Sequence, residues 1–176
     1  MVWKRFAAQL RTGPATEPGP AAPPAAAEAL SARLDAAAQA RLGRSLALRH
    51  LDSGSCNGCE LELNATQNIL YDLERFGLRF VASPRHADVL LLTGPLCRNL
   101  HEAVLRTWLA TPDPKWVVAV GDCAVDFGVF KGSYAVGESP VPFDLTIRGC
   151  PPAPGQILEG LLALLEAQEC PPRAPR

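Results

Sequence analysis

The sequence predicts an α/β domain built on a mostly parallel, doubly wound sheet. Over residues 45–169, short apolar runs alternate with longer segments of helix-forming residues, and this alternation is typical of βαβ units. Gly and Pro residues separate many of these segments, as they do at turns. The chain has 176 residues, 48% of them hydrophobic, which is enough for one domain with a substantial core.

In the first half of this domain the sequence predicts three strands and one helix. The strands cover residues 46–51, 78–82 and 87–93, each a short apolar run. The helix covers residues 60–76 and ends at Gly77, since apolar residues recur near one helical face at Leu61, Ala65, Ile69 and Leu73.

In the second half we expect two further helices and two further strands. The helices cover residues 100–110, before Pro112 and Pro114, and residues 156–168. The strands cover residues 116–120 and 143–147. Between them, residues 121–141 form a long glycine-containing loop, and so long a loop inside a small domain is expected to be functional.

Outside this domain the sequence predicts an N-terminal extension over residues 1–44 and a C-terminal tail over residues 170–176, which holds Cys170 as a free thiol. The extension starts with an amphipathic stretch, residues 1–12, with Trp3, Phe6 and Leu10 on one helical face. A Pro/Ala-rich linker over residues 13–27 follows, then a helix over residues 28–42 before Gly43. Two interpretations remain open: a mobile tail, or an element that docks on a partner or a membrane surface.

Charge and hydropathy exclude several classes of protein. Seventeen basic and eighteen acidic residues give a net charge of −1, without the basic stripe of a nucleic-acid-binding protein. The longest apolar runs, such as residues 89–92, are too short to span a bilayer. No secretory signal or twin-arginine pair is visible. We therefore expect a cytoplasmic protein with reduced thiols.

Four cysteines are the candidate site residues. Cys56 and Cys59 follow the first predicted strand, Cys123 the fourth and Cys150 the fifth, each close to a glycine. Ligands of doubly wound sheets bind beyond the carboxyl ends of the strands, so these thiols are expected to converge there. Glycine allows close approach of the backbone to a bound group.

Three kinds of site remain possible for a CxxC between a strand and a helix. A thioredoxin-like dithiol would leave Cys123 and Cys150 unexplained. A structural zinc site usually pairs two close knuckles, whereas Cys123 and Cys150 are isolated in the sequence. A 4Fe–4S cluster accepts thiolates from distant loops, so the spacing favours this alternative.

Four separated motifs carry a family resemblance over residues 46–166: GSCNGCELE, Thr93-Gly94-Pro95, VAVGDCAVDFGVF and RGCPPAP. Their order and spacing resemble the small-subunit fold shared by nickel–iron hydrogenases and the 20-kDa subunit of respiratory complex I. The resemblance implies a flavodoxin-like parallel sheet with one 4Fe–4S cluster at its edge, beside the active site of a large subunit. It implies the ligands Cys56, Cys59, Cys123 and Cys150.

One detail indicates the branch of the family. Complex I subunits typically have two adjacent cysteines at the first ligand site, whereas two residues separate Cys56 from Cys59. A twin-arginine leader and a second cluster domain, usual in periplasmic hydrogenases, are not expected here. The sequence thus most resembles small subunits of membrane-bound, energy-converting hydrogenases and formate-hydrogenlyase-type complexes.

The resemblance implies an electron-transfer subunit of an oxidoreductase complex, with no catalytic residue of its own. Its partners would be a large catalytic subunit and a membrane subunit, and the chain would lie at the inner face of the cell membrane. Two alternatives remain: the 20-kDa subunit of an NADH:quinone oxidoreductase with a quinone-facing cluster, and a metal-stabilised scaffold subunit without redox function.

Other polar residues receive more ordinary interpretations. Cys97 follows the Thr93-Gly94-Pro95 turn at the same sheet edge, and a small buried thiol is favoured over a ligand. Arg98 and Arg148 either place positive charge near the cluster or are solvated surface groups. The helix dipole stabilises carboxylates at a helix start, so a capping role is favoured for Glu60 over the alternative of a proton relay. The histidines are expected to be ordinary polar residues: His50, His86 and His101.

Overall fold

The computed structural model describes residues 24–167, which form a five-stranded parallel sheet with helices on both faces. The strands are β1 (Ala47–Asp52), β2 (Arg79–Phe80), β3 (Val89–Thr93), β4 (Trp116–Val120) and β5 (Leu145–Ile147). The helices are α1 (Pro24–Leu42), α2 (Gly58–Ala65), α3 (His101–Ala110), α4 (Asp122–Asp126) and α5 (Pro154–Glu166). The predicted doubly wound α/β class is confirmed.

The sheet order is β2-β1-β3-β4-β5, and every pairing is parallel. All five residues of β3 and of β4 are buried, as continuous apolar runs in the middle of a parallel sheet require. The in-register partners Asp52 and Thr93 end β1 and β3, and Val120 pairs with Ile147 at the ends of β4 and β5. Four strands therefore deliver their following loops to one edge.

Alternate residues of the central strands serve two cores. Leu91 and Val118 belong to the larger core, which the helices α1, α2 and α5 cover. Leu92 and Val117 point to the other face and pack with Val104 of α3. This alternation is the period of two that a strand imposes on its side chains.

Helix α1 is part of the larger core. It packs against α5, and its residues Leu34, Ala38 and Leu42 are buried. The mobile-tail interpretation is therefore wrong for residues 28–42, and the helix also begins inside the predicted linker, at Pro24. The division of the chain at residues 44 and 170 stays a prediction. The amphipathic stretch 1–12, most of the linker and Cys170 lie outside the described residues.

The helix predicted over residues 60–76 is wrong beyond Ala65. At the end of the helix, the Thr66 hydroxyl donates a hydrogen bond to the Leu63 carbonyl at 2.6 Å. Further along, Asp72 has a φ of 42°, which is not helical. The expected apolar face is also divided, because Ile69 is 94% exposed while Leu73 is 1% exposed. Local hydrogen bonding by such side chains competes with the helix.

Smaller corrections concern the lengths of other elements, and β3 and β5 each begin two residues later than predicted. Strand β2 has two residues where five were predicted, and the predicted loop 121–141 contains the short helix α4. Along residues 24–167, no helix combines the length and the apolar character that crossing a membrane requires.

Candidate metal centre

The loops after β1 and β3 are tied together before the first cysteine pair. Ser53 donates its N–H to the Thr93 carbonyl at 2.8 Å, and its own carbonyl accepts the N–H of Cys97 at 2.8 Å. Asp52 Oδ1 accepts the N–H groups of Gly54 at 2.8 Å and Ser55 at 2.7 Å. This Asx turn starts the loop that carries Cys56.

The two cysteines of the CxxC differ in exposure. Cys56 is exposed in the loop, while Cys59, the second residue of α2, is 8% exposed. Asn57 between them has a φ of 71° at the start of the helix. Asn tolerates this left-handed conformation better than most residues, so the loop can turn sharply into α2.

The loops after β4 and β5 form a second tied pair. Gly121 donates its N–H to Ile147 at 2.8 Å, and Asp122 donates to Gly149 at 2.9 Å. The Asp122 carboxylate accepts the N–H of Gly149 at 3.1 Å in return. These bonds place Cys123, in α4, beside Cys150, which follows Gly149 and is exposed.

The four predicted sulfurs are close enough to influence one another. Burial is the largest of the causes that together raise the pKa of Cys59 to about 12, and the charges of Glu60, Cys123, Cys56 and Cys150 follow in that order. Burial also raises the pKa of Cys123, with contributions from Cys150 and Cys56. The structure thus brings all four thiols, which are free, to one edge of the sheet.

Glycines line the sulfurs at close range. A Cβ added to Gly121 would stand 2.5 Å from the Cys59 sulfur. A Cβ added to Gly128 would stand 3.1 Å from the Cys123 sulfur. The N–H of Val129 also hydrogen-bonds the Cys123 sulfur and lowers its pKa, against the effect of burial. Four thiols, backbone approach through glycine and an amide aimed at sulfur are what an iron–sulfur cluster uses.

A site for a single metal ion would need several ligand side chains around one point. Among residues 24–167, no three His, Cys, Asp or Glu side chains surround a point from which all could bind one ion. The four candidate thiols belong to Cys56, Cys59, Cys123 and Cys150, each from a loop or helix start at the carboxyl edge.

Cys97 lies beside the first loop, in a different position from the four thiols. Its sulfur would be 2.5 Å from a Cβ on Gly54, and its backbone forms an isolated bridge with Val136. It is partly buried. Its side chain therefore fills the space that Gly54 leaves open.

The two arginines near the site have local partners. Arg148 Nη1 donates to Asp126 Oδ2 at 2.8 Å and lies 3.9 Å from Asp122 Oδ1, and its hydrogen bond lowers the pKa of Asp126. Arg98 Nε donates to the Val136 carbonyl at 3.1 Å. Both side chains organise the loops around the thiols.

Sequence reasoning missed a hydrogen-bonded group behind Cys59. Thr93 Oγ1 donates to Glu60 Oε1, and His50 Nε2 lies 2.9 Å from Thr93 Oγ1. Glu60 therefore contacts the end of β3 with its side chain. The sequence contained part of the information for this contact. Strands β1 and β3 were both predicted, and His50 and Thr93 each stand near the end of one of them.

A cavity of about 430 Å³ adjoins this group. His50, Glu60 and Arg49 line it together with Asn64 and Gln67 of the α2 region, and apolar residues of the β2 region close one side. Burial lowers the pKa of His50, whereas the nearby carboxylates of Glu60 and Asp52 act in the opposite direction.

Comparison with known proteins agrees with this architecture. "Formate hydrogenlyase subunit 7" of Escherichia coli is 44% identical over 132 residues, 72% of this chain and 52% of that protein. "Probable membrane-bound hydrogenase subunit mbhJ" of Pyrococcus furiosus is 45% identical over 128 residues, 71% of this chain and 77% of that protein. The chain thus spans about half the length of the first relative and about three quarters of the second.

A solved structure has the same fold. One chain of the membrane-bound sulfane sulfur reductase, an archaeal respiratory membrane complex, superposes with a TM-score of 0.62 at 30% identity. The match covers 77% of this chain and 74% of that chain. The family model for the NADH ubiquinone oxidoreductase 20 kDa subunit matches residues 56–164, from the first candidate cysteine into α5. The resemblance stated from the motifs is therefore confirmed: the chain belongs to the family of the NADH ubiquinone oxidoreductase 20 kDa subunit.

Proposed function

We propose that this chain is an electron-transfer subunit that carries one 4Fe–4S cluster on Cys56, Cys59, Cys123 and Cys150. The observation that carries the proposal is the convergence of these four thiols, from separate loop positions, at one edge of the sheet. Bound there, the cluster would supply one-electron transfer to or from a catalytic centre in a partner subunit.

This chain's own residues would hold that group. The buried Cys59 would shield it from bulk solvent, the glycines beside the sulfurs would leave room for it, and the exposed Cys56 and Cys150 would face a partner. The Val129 amide offers a hydrogen bond to the sulfur of Cys123. Bond-making chemistry is assigned to the partner.

Metal analysis tests the cluster directly. The chain, purified without oxygen, is expected to contain about four irons and to give a 4Fe–4S signal in EPR after reduction. Cys59→Ser should lose iron, and Cys97→Ser serves as the matched control because its sulfur lies beside Gly54. Stoichiometric zinc without iron would refute the cluster and favour the scaffold function.

For the type of complex we propose a membrane-bound hydrogenase or formate-hydrogenlyase-type assembly. The two residues between Cys56 and Cys59 support this assignment, and the names of two relatives agree with it. The partner would then be a large subunit with nickel and iron. Co-purification of the large subunit followed by nickel analysis tests this, and a nickel-free complex that reduces quinone would favour the complex I-like alternative.

The proposed partner surface is the cluster edge, formed by residues 53–60, 94–99 and 121–141. Val129 is 81% exposed and Tyr134 is 88% exposed in the longest of these loops, and exposed apolar groups of this kind mark interfaces. Hydrogen exchange of residues 121–141 should slow on complex formation. Unchanged hydrogen exchange in that loop would show that the interface lies elsewhere.

We also propose that the assembled complex holds the chain at the inner face of the cell membrane, on a membrane subunit. The support is the membrane-bound nature stated for one relative and for the structural neighbour. Fractionation of cells with and without the membrane subunit tests this. The chain should leave the membrane fraction when that subunit is absent.

A further inference from the structure

The starting observation is a buried carboxylate beside a proposed cluster ligand. Glu60 directly follows Cys59, and its side chain is 11% exposed. Its Oε1 accepts a hydrogen bond from Thr93 Oγ1, while its Oε2 is buried without a hydrogen-bond partner among the described residues. A buried charge of this kind is costly unless something holds it in place.

The hydrogen bonds around this carboxylate have a defined direction. The Thr93 hydroxyl has one proton, and it donates that proton to Glu60. The contact of 2.9 Å between His50 Nε2 and Thr93 Oγ1 must then use a proton on Nε2. The imidazole and the hydroxyl thus form a chain of donors that ends on the Glu60 carboxylate, which accepts, and such chains strengthen their own hydrogen bonds.

The chain of donors holds the Glu60 carboxylate against the end of β3 and away from solvent. Thr93 is fully buried at the end of β3, and Glu60 stands in the first turn of α2. Cys59 is the preceding residue of the same helical turn. Because water screens a buried charge poorly, its effect on a group bound at Cys59 is expected to be strong.

A helix-capping role accounts for less of this geometry. A carboxylate in the first turn is stabilised by the helix dipole even when it points to water. Here the side chain points instead to Thr93, a residue 33 positions away, and leaves one oxygen without a hydrogen bond inside the described part of the protein. Capping requires neither feature.

We propose that Glu60 sets the reduction potential of the group bound at Cys59, and that Thr93 and His50 are its positioning residues. The inference rests on the proposed function. Reduction adds an electron to the bound cluster, and a fixed negative charge beside it disfavours that electron. Glu60 therefore keeps the potential low, and removing its charge makes reduction easier.

The first experiment is a redox titration of the co-expressed complex, monitored by EPR. Glu60→Gln should shift the reduction equilibrium about tenfold toward the reduced form, which corresponds to about +59 mV for one electron. The control is Glu159→Gln on the exposed face of α5, which removes the same charge from a position where water screens it. Equal potentials in these two variants would overturn the proposal.

The second experiment separates position from charge. Thr93→Val keeps the shape of the side chain but removes its hydroxyl, so the Glu60 carboxylate keeps its charge but is no longer held in place, and the potential should rise by less than in Glu60→Gln. Thr93→Ser restores a hydroxyl and should return the potential to that of the wild type. If Thr93→Val titrates like the wild type, the positioning role is wrong.

A third measurement does not depend on the cluster. In the full chain before iron loading, Glu60→Gln should speed the alkylation of Cys59 by iodoacetamide several-fold at fixed pH, because a thiolate forms more readily without a neighbouring negative charge. If Glu60→Gln fails to load iron, an unchanged alkylation rate overturns the inference. Zinc in the wild-type complex would instead refute the proposed function, and the two failures are thereby distinguished.

Discussion

Gly121 lies directly against the sulfur of Cys59: a Cβ at residue 121 would stand 2.5 Å from Cys59 Sγ. The contact joins the two halves of the candidate centre, since Gly121 belongs to the loop after β4 and Cys59 to the helix after β1. Gly121 also has a φ of 91°, which few other residues adopt. The position therefore requires glycine for two separate reasons.

Gly121→Ala is expected to displace the Cys59 sulfur and to reduce the iron content of the chain strongly. The matched control is Gly132→Ala, because Gly132 has a φ of 83° but nothing within 4 Å of an added Cβ. Both variants should lose about 1–3 kcal/mol of stability through backbone strain. Iron analysis of the two proteins isolates the effect on the sulfur, and equal iron content would contradict the role of this contact.

Cys97→Ser is expected to leave the iron content unchanged. The Cys97 sulfur lies over Gly54, and the hydroxyl of serine fits the same space. Cys150→Ser should lose iron in the same assay. Should both variants lose iron to the same degree, Cys97 is a ligand and the proposed set of four is wrong.

The stability of the iron-free chain should fall as the pH rises from about 9 toward 12. Burial raises the pKa of the Cys59 thiol to about 12 in the folded protein, against a value of 9.0 for a free thiol. The folded state therefore holds this proton more tightly than the unfolded state, and the stability gained below pH 9 is lost as the thiol ionises. Urea unfolding across this range should show a smaller fall in Cys59→Ala than in the wild type; parallel curves would contradict the assignment.

Deletions from the N-terminus should separate docking from folding. Removing residues 1–23 is expected to preserve iron content and stability but to weaken association with the membrane fraction. Removing residues 1–42 also deletes Leu34 and Leu42 from the core, at about 2 kcal/mol each, and should lower stability by at least about 4 kcal/mol. If the chain without residues 1–23 still associates fully with the membrane fraction, the docking role of the amphipathic stretch is refuted.

Much of the fold could be predicted because it depends on local pattern. Strand β4 was predicted with its observed bounds, since its five apolar residues are bounded by Lys115 and Gly121. The carboxyl-edge positions of the four cysteines followed from the order of strands and helices alone. In a parallel sheet, residues that follow the strands lie at the same edge. The order of strands and helices in the sequence is therefore enough to predict that position for the cysteines.

The remaining features depend on contacts between distant residues. The packing of α1 against α5 joins opposite ends of the described chain. The bond between Thr93 and Glu60 requires β3 and α2 to be placed together first. The early end of α2 at Ala65 depends on local hydrogen bonds of Thr66 and Asn68 that the apolar spacing does not reveal.

The packing of α1 against α5 has a consequence for the nascent protein. Because β2, β1, β3, β4 and β5 are all parallel, no neighbouring pair is a simple hairpin that could close early. Helix α1 lacks its partner α5 until α5 has left the ribosome, and Cys150 emerges shortly before that helix. A growing chain therefore displays Cys56 and Cys59 long before their counterparts exist. Insertion of a cluster that needs all four thiols would follow translation, and until then the early pair is exposed to chaperones and to oxidants.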